Sequence, residues 1–207
     1  MITKAGIIIG KEINEGFTNY QVYGSPVIEG NYVSGLKPNN YIYIPVNVNT
    51  TTTKISVYID GLQGETKSSS ASVIDLINST NSYPCRIYKN QYGGTDGYFN
   101  GAYGAPGGNT TMATTGTFRM EFSVLGTTAS LNYYEDGVLK KSGNKTIAEG
   151  LGTVVKVRFG GEYTELSNKI DLTSIVIKAG EDVIYAFPSN KSSLSSYQIT
   201  STECYEI

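Results

Sequence analysis

TFRMEFSV, residues 117–124, alternates without a break: Phe118, Met120, Phe122 and Val124 fall on one face, Arg119, Glu121 and Ser123 on the other. Successive side chains of an extended chain point to opposite sides, so this stretch reads as a strand with one buried and one wet face. The same period returns in YIYIPVNV (41–48) through Ile42, Ile44, Val46 and Val48, and in KISVYID (54–60) through Ile55, Val57 and Ile59. It returns again in TVVKVRFG (153–160), where the phase predicts Val155, Val157 and Phe159 inside. Pro45 has no N–H to give to a ladder, so its strand is expected at an edge or at a bulge.

Turn chemistry links these runs. Asp136-Gly137 sits between two extended segments and predicts a type I′ hairpin, whose central residues both need positive φ. A second hairpin with a longer loop is expected around Ala179-Gly180-Glu181-Asp182. SSASVIDLINSTNS (69–82) could be a short helix, but its β-branched and Ser/Thr-rich composition favours a strand. The reading is about eight to ten antiparallel strands and no helix longer than two turns. The fold class is all-β: a two-sheet antiparallel sandwich of jelly-roll type. A parallel solenoid would need a fixed repeat, which is not found. Residues 1–20 read as a lead-in or attachment segment, 21–187 as the sandwich, and 188–207 as an extension or last strand.

The composition excludes several functions. The 207 residues carry a formal charge of −2 and lack histidine and tryptophan. Without histidine there is no Ser-His-Asp or Cys-His catalysis and no His-containing zinc site. The near-neutral charge argues against nucleic acid as a partner. No apolar run is long enough for a membrane helix, so no membrane insertion is expected. The N-terminus has too short an apolar run for a signal peptide, which predicts synthesis in the cytoplasm. Cys85 and Cys204 leave open one disulfide or two buried thiols, the latter favoured. No cofactor is expected.

NQYGGTDGYFNGAYGAPGG (90–108) reads as a long surface connection loosened by glycine. Long loops are usually functional or mobile, and tyrosine offers an apolar ring with a polar tip. Tyr92, Asp96, Tyr98, Asn100 and Tyr103 are therefore the candidate ligand-binding residues, with a carbohydrate as the ligand class. The alternative, a structural or assembly role with the tyrosines folded back on the sandwich edge, is the favoured reading of the loop. Tyr41 and Tyr43 form a second candidate patch. Tyr133 and Tyr134 point to opposite faces, so at most one can be on the surface. Asp96 and Asn100 could offer oxygen to calcium, but residues 90–116 hold a single carboxylate and no metal site is assigned. Glycosidases need two facing carboxylates. Glu162 and Glu165 are three apart, hence on opposite faces if extended, and Glu135-Asp136 and Glu181-Asp182 are adjacent in turns. These acids read as solvated turn residues, so no catalytic residue is assigned.

Two segments resemble a known family. They are GSPVIEGNYVSGLKPNNYIYIP (24–45) and FGGEYTELSNKIDLTSIVIKAGEDVIYAF (159–187). Their order is similar to the concanavalin A-like sandwich domains of bacteriophage tail, baseplate and fibre proteins, which carry a late "IDL…I.I.G" stretch. The resemblance implies a non-enzymatic virion component, with other virion proteins and a host-surface glycan as partners. It also implies a virion location after assembly in the host cytoplasm, and a homo-oligomer, a trimer if the chain is a fibre. A carbohydrate-binding or adhesion module of a bacterial surface protein is the alternative. Within the second segment, Ile170 and Leu172 share a face and Ile175 and Ile177 resume it three residues later. That step predicts a bulge near Thr173-Ser174, with Asp171 free to bind the amides of a neighbouring loop.

Overall fold

The computed structural model describes residues 3–4, 7–9, 20–80, 85–99, 102–147 and 149–187. They form two antiparallel sheets packed face to face. One sheet runs, in spatial order, β1 (Thr3–Lys4), β2 (Ile7–Ile9), β3 (Gln21–Tyr23), β6 (Tyr41–Asn49), β16 (Thr153–Gly160), β8 (Ala71–Asn78), β9 (Cys85–Lys89), β10 (Gly94–Phe99) and β11 (Ala102–Tyr103), with β12 (Thr110–Thr111) beside β10. The other runs β15 (Val138–Thr146), β14 (Thr128–Glu135), β13 (Thr117–Leu125), β7 (Ile55–Leu62), β17 (Lys169–Asp171), β5 (Tyr32–Ser34) and β4 (Val27–Glu29). The hairpin of β18 (Val176–Ala179) and β19 (Asp182–Ala186) joins this second sheet through β7.

Alternation decides which residues meet between the sheets. Phe118, Met120, Phe122 and Val124 of β13 are buried with Ile55, Val57 and Ile59 of β7, against Ile42 and Ile44 of β6 and Val157 and Phe159 of β16. Each such side chain contributes about 1.5–3 kcal/mol by leaving water. SVIDLIN is a strand, as its β-branched residues require. Asp136 and Gly137 take φ of 46° and 77°, and Glu135 pairs with Val138 across them. Tyr133 is buried and Tyr134 half-exposed, so only the latter reaches the surface.

Five expectations are corrected, while that of a bulge at Pro45 holds. Pairing slips between Val154 and Lys156, which reverses the phase of β16: Val154 is buried and Val155 half-exposed. Pro45 sits at that slip, and β3 reaches only to Tyr43, so its missing N–H interrupts no bond on that side. The second hairpin closes with only Gly180 and Glu181 between Ala179 and Asp182, not a longer loop. The step after Asp171 is a 3₁₀ turn, Leu172–Ser174, not a bulge. The Asp171 carboxylate caps that turn, accepting from the Thr173 amide at 2.9 Å and its hydroxyl at 2.7 Å, rather than reaching another loop. Glu135 is also more than a solvated turn residue. It accepts from Tyr133 Oη at 2.7 Å and from the Ala113 amide at 2.6 Å.

Residues 90–108 are corrected most. Eight of its residues are strand, Gly94–Phe99 and Ala102–Tyr103, with turns on either side: β10 pairs with β9 on one side and with β11 and β12 on the other. Gly97 is there for space, since a Cβ would lie 2.3 Å from the Phe99 ring that turns into the core. Cys85 is a buried thiol, its pKa pushed up by burial and by Asp75. Cys204 and the 188–207 tail lie outside the described residues, as does Asn100. No helix among the described residues is long and apolar enough to cross a membrane.

Candidate functional site

Paired residues on neighbouring strands share a face, so register alone assembles the outer surface of the first sheet. Gln21 pairs with Tyr43, Tyr43 with Arg158, Arg158 with Asp75, Asp75 with Arg86, Arg86 with Tyr98 and Tyr98 with Tyr103. One continuous row crosses the sheet from β3 to β11. Beside it, Tyr23 pairs with Tyr41, while Ser72 pairs with Tyr88 and Tyr88 with Asp96.

The centre of the row is charged and dry. Asp75 is fully buried, and Arg86 and Arg158 expose only 4% and 5%. Both Asp75 oxygens are taken. Oδ1 accepts from Arg86 Nε at 2.7 Å and Ser72 Oγ at 2.5 Å; Oδ2 accepts from Arg158 Nε at 2.9 Å and Nη2 at 2.6 Å. Burial works against the charge on both guanidiniums, but Asp75 together with Glu162 outweighs it and leaves their pKa raised. A second carboxylate, Glu162, lies 3.0 Å from Arg158 and 3.9 Å from Arg86.

Glu162 belongs to a turn that lies down on the sheet after β16. Gly161, at φ 93°, makes this approach possible: a Cβ there would sit 3.0 Å from Arg158 Nε and from the Tyr41 ring. Tyr163 follows at φ 63°, with its ring 5.1 Å from the Arg86 guanidinium and 5.6 Å from Tyr88.

Aromatic groups flank the charges on both sides. Toward β3, Tyr23 stacks on Tyr41 at 4.8 Å, and Tyr41 meets Tyr43 at 6.1 Å. Lys156 lies 4.5 Å from the Tyr43 ring and Arg158 5.2 Å from that of Tyr41. The Tyr43 hydroxyl donates to Gln21. Toward β11, Tyr98 and Tyr103 meet edge to face at 5.1 Å, and Tyr103 is 69% exposed. Lys145 from the other sheet donates to the Tyr103 carbonyl at 2.6 Å and so anchors this end. Tyr88 is pushed above the ordinary tyrosine range by burial and then by Asp96.

Of the five residues expected to bind, Asp96, Tyr98 and Tyr103 are brought together here. Tyr92 is 81% exposed in the turn between β9 and β10 and makes no ring contact with them. Tyr41 and Tyr43, expected as a separate patch, are the other wing of the same face. Sequence reasoning missed Asp75, Arg86, Arg158 and Tyr163, and took Glu162 for a solvated turn residue, whereas it pairs with Arg158 at 3.0 Å. The signal was present for three of the missed residues: Asp75 in SVIDLIN, Arg86 in CRIYK and Arg158 in VKVRFG each stand as a charge between apolar residues of a strand. Among the described residues, no three carboxylate or thiol side chains come together to hold a metal ion.

No family model matches the chain, and no curated protein matches it. Solved structures do. A mutant Trypanosoma rangeli sialidase displaying trans-sialidase activity superposes with a TM-score of 0.58 at 10% identity, covering 97% of this chain and 32% of that one. The binding domain of botulinum neurotoxin serotype D gives 0.53 at 13%, covering 79% and 44%. An alginate lyase gives 0.52 at 9%, covering 72% and 75%. The chain spans 17% of one sialidase and 32% of another. These likenesses show the fold, a two-sheet antiparallel β-sandwich, and carry no link to a bacteriophage.

Proposed function

We propose that this chain is a glycan-binding attachment domain, non-enzymatic, that serves a bacteriophage virion as part of a tail fibre, baseplate or head appendage. The observation that carries the reading is the cross-strand row from Tyr43 to Tyr103, in which tyrosine rings flank fixed hydrogen-bonding charges on one sheet face. Sugars present flat CH faces to rings and hydroxyls to polar side chains, and the rings of Tyr43, Tyr98 and Tyr103 with the half-exposed Asp96 offer both on this face. Sharing of the fold with proteins named as sialidases, a toxin binding domain and an alginate lyase agrees with a carbohydrate ligand. At the centre of the row Asp75 agrees with a non-enzymatic role: it is fully buried and each of its oxygens already accepts two hydrogen bonds, so it is not free to act on a substrate.

Other virion proteins are the assembly partners in this reading, and a symmetric homo-oligomer, a trimer in a fibre, is the expected state. A module of a bacterial surface protein is the second reading, favoured by the small share of the sialidases that the chain spans.

The test is a glycan array of bacterial surface polysaccharides and simple sugars, probed with the full chain. A specific hit should weaken at least tenfold, about 1.4 kcal/mol, in the double variant Tyr98→Ala/Tyr103→Ala. Tyr134→Ala, on the other sheet, should leave it unchanged. A folded chain that binds nothing on the panel would overturn attachment and leave a structural virion part. Light scattering then reads the oligomer, and a strict monomer would count against the fibre.

A further inference from the structure

The turn Gly160–Thr164 lays a carboxylate on two arginines that the strands have already partnered with Asp75. Arg86 and Arg158 supply two positive charges, and Asp75 and Glu162 two negative ones. The two acids are held differently. Asp75 stands on a central strand with no exposure. The Glu162 side chain is 26% exposed and comes from a turn with left-handed backbone at Gly160, Gly161 and Tyr163. Left-handed φ is costly for tyrosine, and strain of this kind collects at clamps and switches. The turn is tied firmly at Thr164, whose amide and hydroxyl both reach the Ser70 carbonyl at 3.1 and 2.8 Å. At Glu162 the backbone tie is a longer one, from the Ser72 amide at 3.4 Å.

We infer that Glu162 is a built-in occupant of a carboxylate-recognition site formed by Arg86 and Arg158 between the rings of Tyr41 and Tyr163, and that the ligand which displaces it is a carboxylated sugar of an acidic glycan. The inference rests on the glycan-binding reading of this face and names its ligand class. Swinging the turn about Thr164 removes one negative charge and leaves a net positive charge bordered by two rings. A uronic or similar acid supplies the missing carboxylate to the guanidiniums and its ring to the tyrosines. Competition with an internal carboxylate lowers the apparent affinity by the fraction of molecules with the turn open.

The probes are acetate and polygalacturonate, with fully methyl-esterified polygalacturonate as the uncharged control. Glu162→Ala should melt lower than the unaltered chain. Acetate at about ten times its dissociation constant should raise that melting temperature by roughly 3–6 °C, whereas sodium chloride at equal ionic strength should not. Glu165→Ala, whose carboxylate is exposed, should gain nothing from acetate. Glu162→Gln keeps the shape of the turn and serves if the alanine variant does not fold; it should bind polygalacturonate about tenfold tighter than the unaltered chain. The unaltered chain itself should prefer polygalacturonate to the ester.

Folded variants indifferent to acetate, together with no preference for the acid over the ester, would overturn the inference and leave Glu162 a structural ion pair. Array hits confined to uncharged glycans and dependent on Tyr98 and Tyr103 would overturn it while the binding reading stands. Acetate rescue with no glycan hit would keep the carboxylate site and remove the glycan reading.

Discussion

Across the first sheet the outward row reads Tyr43, Arg158, Asp75, Arg86, Tyr98; across the second it reads Ser142, Asn132, Glu121, Tyr58. Both rows arise in the same way, from antiparallel register, and both are hydrogen-bonded ladders. Ser142 Oγ donates to Asn132 at 2.7 Å, and Asn132 Nδ2 donates to Glu121 at 3.0 Å. They differ in water. Every member of the second row keeps some exposure, so each polar group lost to a neighbour can be exchanged for solvent. In the first row Asp75, Arg86 and Arg158 have given up solvent, and buried ions are stable only while paired. The comparison teaches that a sandwich needs only one of its outer faces to be ordinary. A ladder of short polar groups keeps its water, whereas a desolvated charge cluster costs stability unless every charge in it is paired.

Asp75→Ala breaks that contrast most strongly. It leaves two buried guanidiniums without their shared partner and should cost about 3–5 kcal/mol, read as a lower midpoint in urea unfolding. Glu121→Ala, the equivalent step on the second face, should cost under about 1 kcal/mol. Equal losses would mean that the first face is no drier than the second.

A smaller effect sharpens the picture from the second sheet, where one charge does turn inward. Lys141 of β15 is buried and donates to Thr95 Oγ1 of β10 at 3.2 Å, and burial lowers its pKa from 10.5 to about 8. Lys89 is lowered by the same cause. Between about pH 8 and pH 10 the unfolded chain therefore holds protons that the folded chain has released, so stability rises with pH. Above about pH 10 the sign reverses. Tyr88, Tyr133 and Tyr185, all raised chiefly by burial from 10.0, ionise in the unfolded chain while staying protonated in the fold. Thermal melts from pH 7 to 11 should show that rise and fall, and Lys141→Met should be more stable at pH 7 with a flatter rise. A level profile in the unaltered chain would contradict the burial of Lys141.

The smallest effect belongs to the exposed pair Asp60 and Arg119, 2.8 Å apart with side chains 43% and 56% exposed. Asp60→Ala should change stability by no more than about 1 kcal/mol, and that change should vanish in high salt. The loss in Asp75→Ala should persist in the same salt, because buried pairs are screened much less.

Much of the framework is legible in the chain itself. TFRMEFSV, KISVYID and YIYIPVNV show their buried faces through alternation, and Asp136-Gly137 shows its turn. Reading failed where one residue shifts the phase, as at Val155, and where glycine serves close packing rather than freedom, as at Gly97. In the candidate site, Tyr98 and Tyr103 were legible as neighbours because one hairpin joins them. Arg158 and Asp75, 83 residues apart, were not.

The sequence by itself determined the long strands, their inner and outer faces and most of the core, because alternation is a property of a few consecutive residues. About eight to ten strands are legible where the described residues form nineteen, since strands of two to four residues are too short to show a period. Only the tertiary structure decided which outer faces lie side by side. Register between distant strands is set by pairing energies summed over the whole fold, and a single bulge moves every residue beyond it to the other side. The row from Gln21 to Tyr103, and the turn that lays Glu162 on it, exist only once that register is chosen.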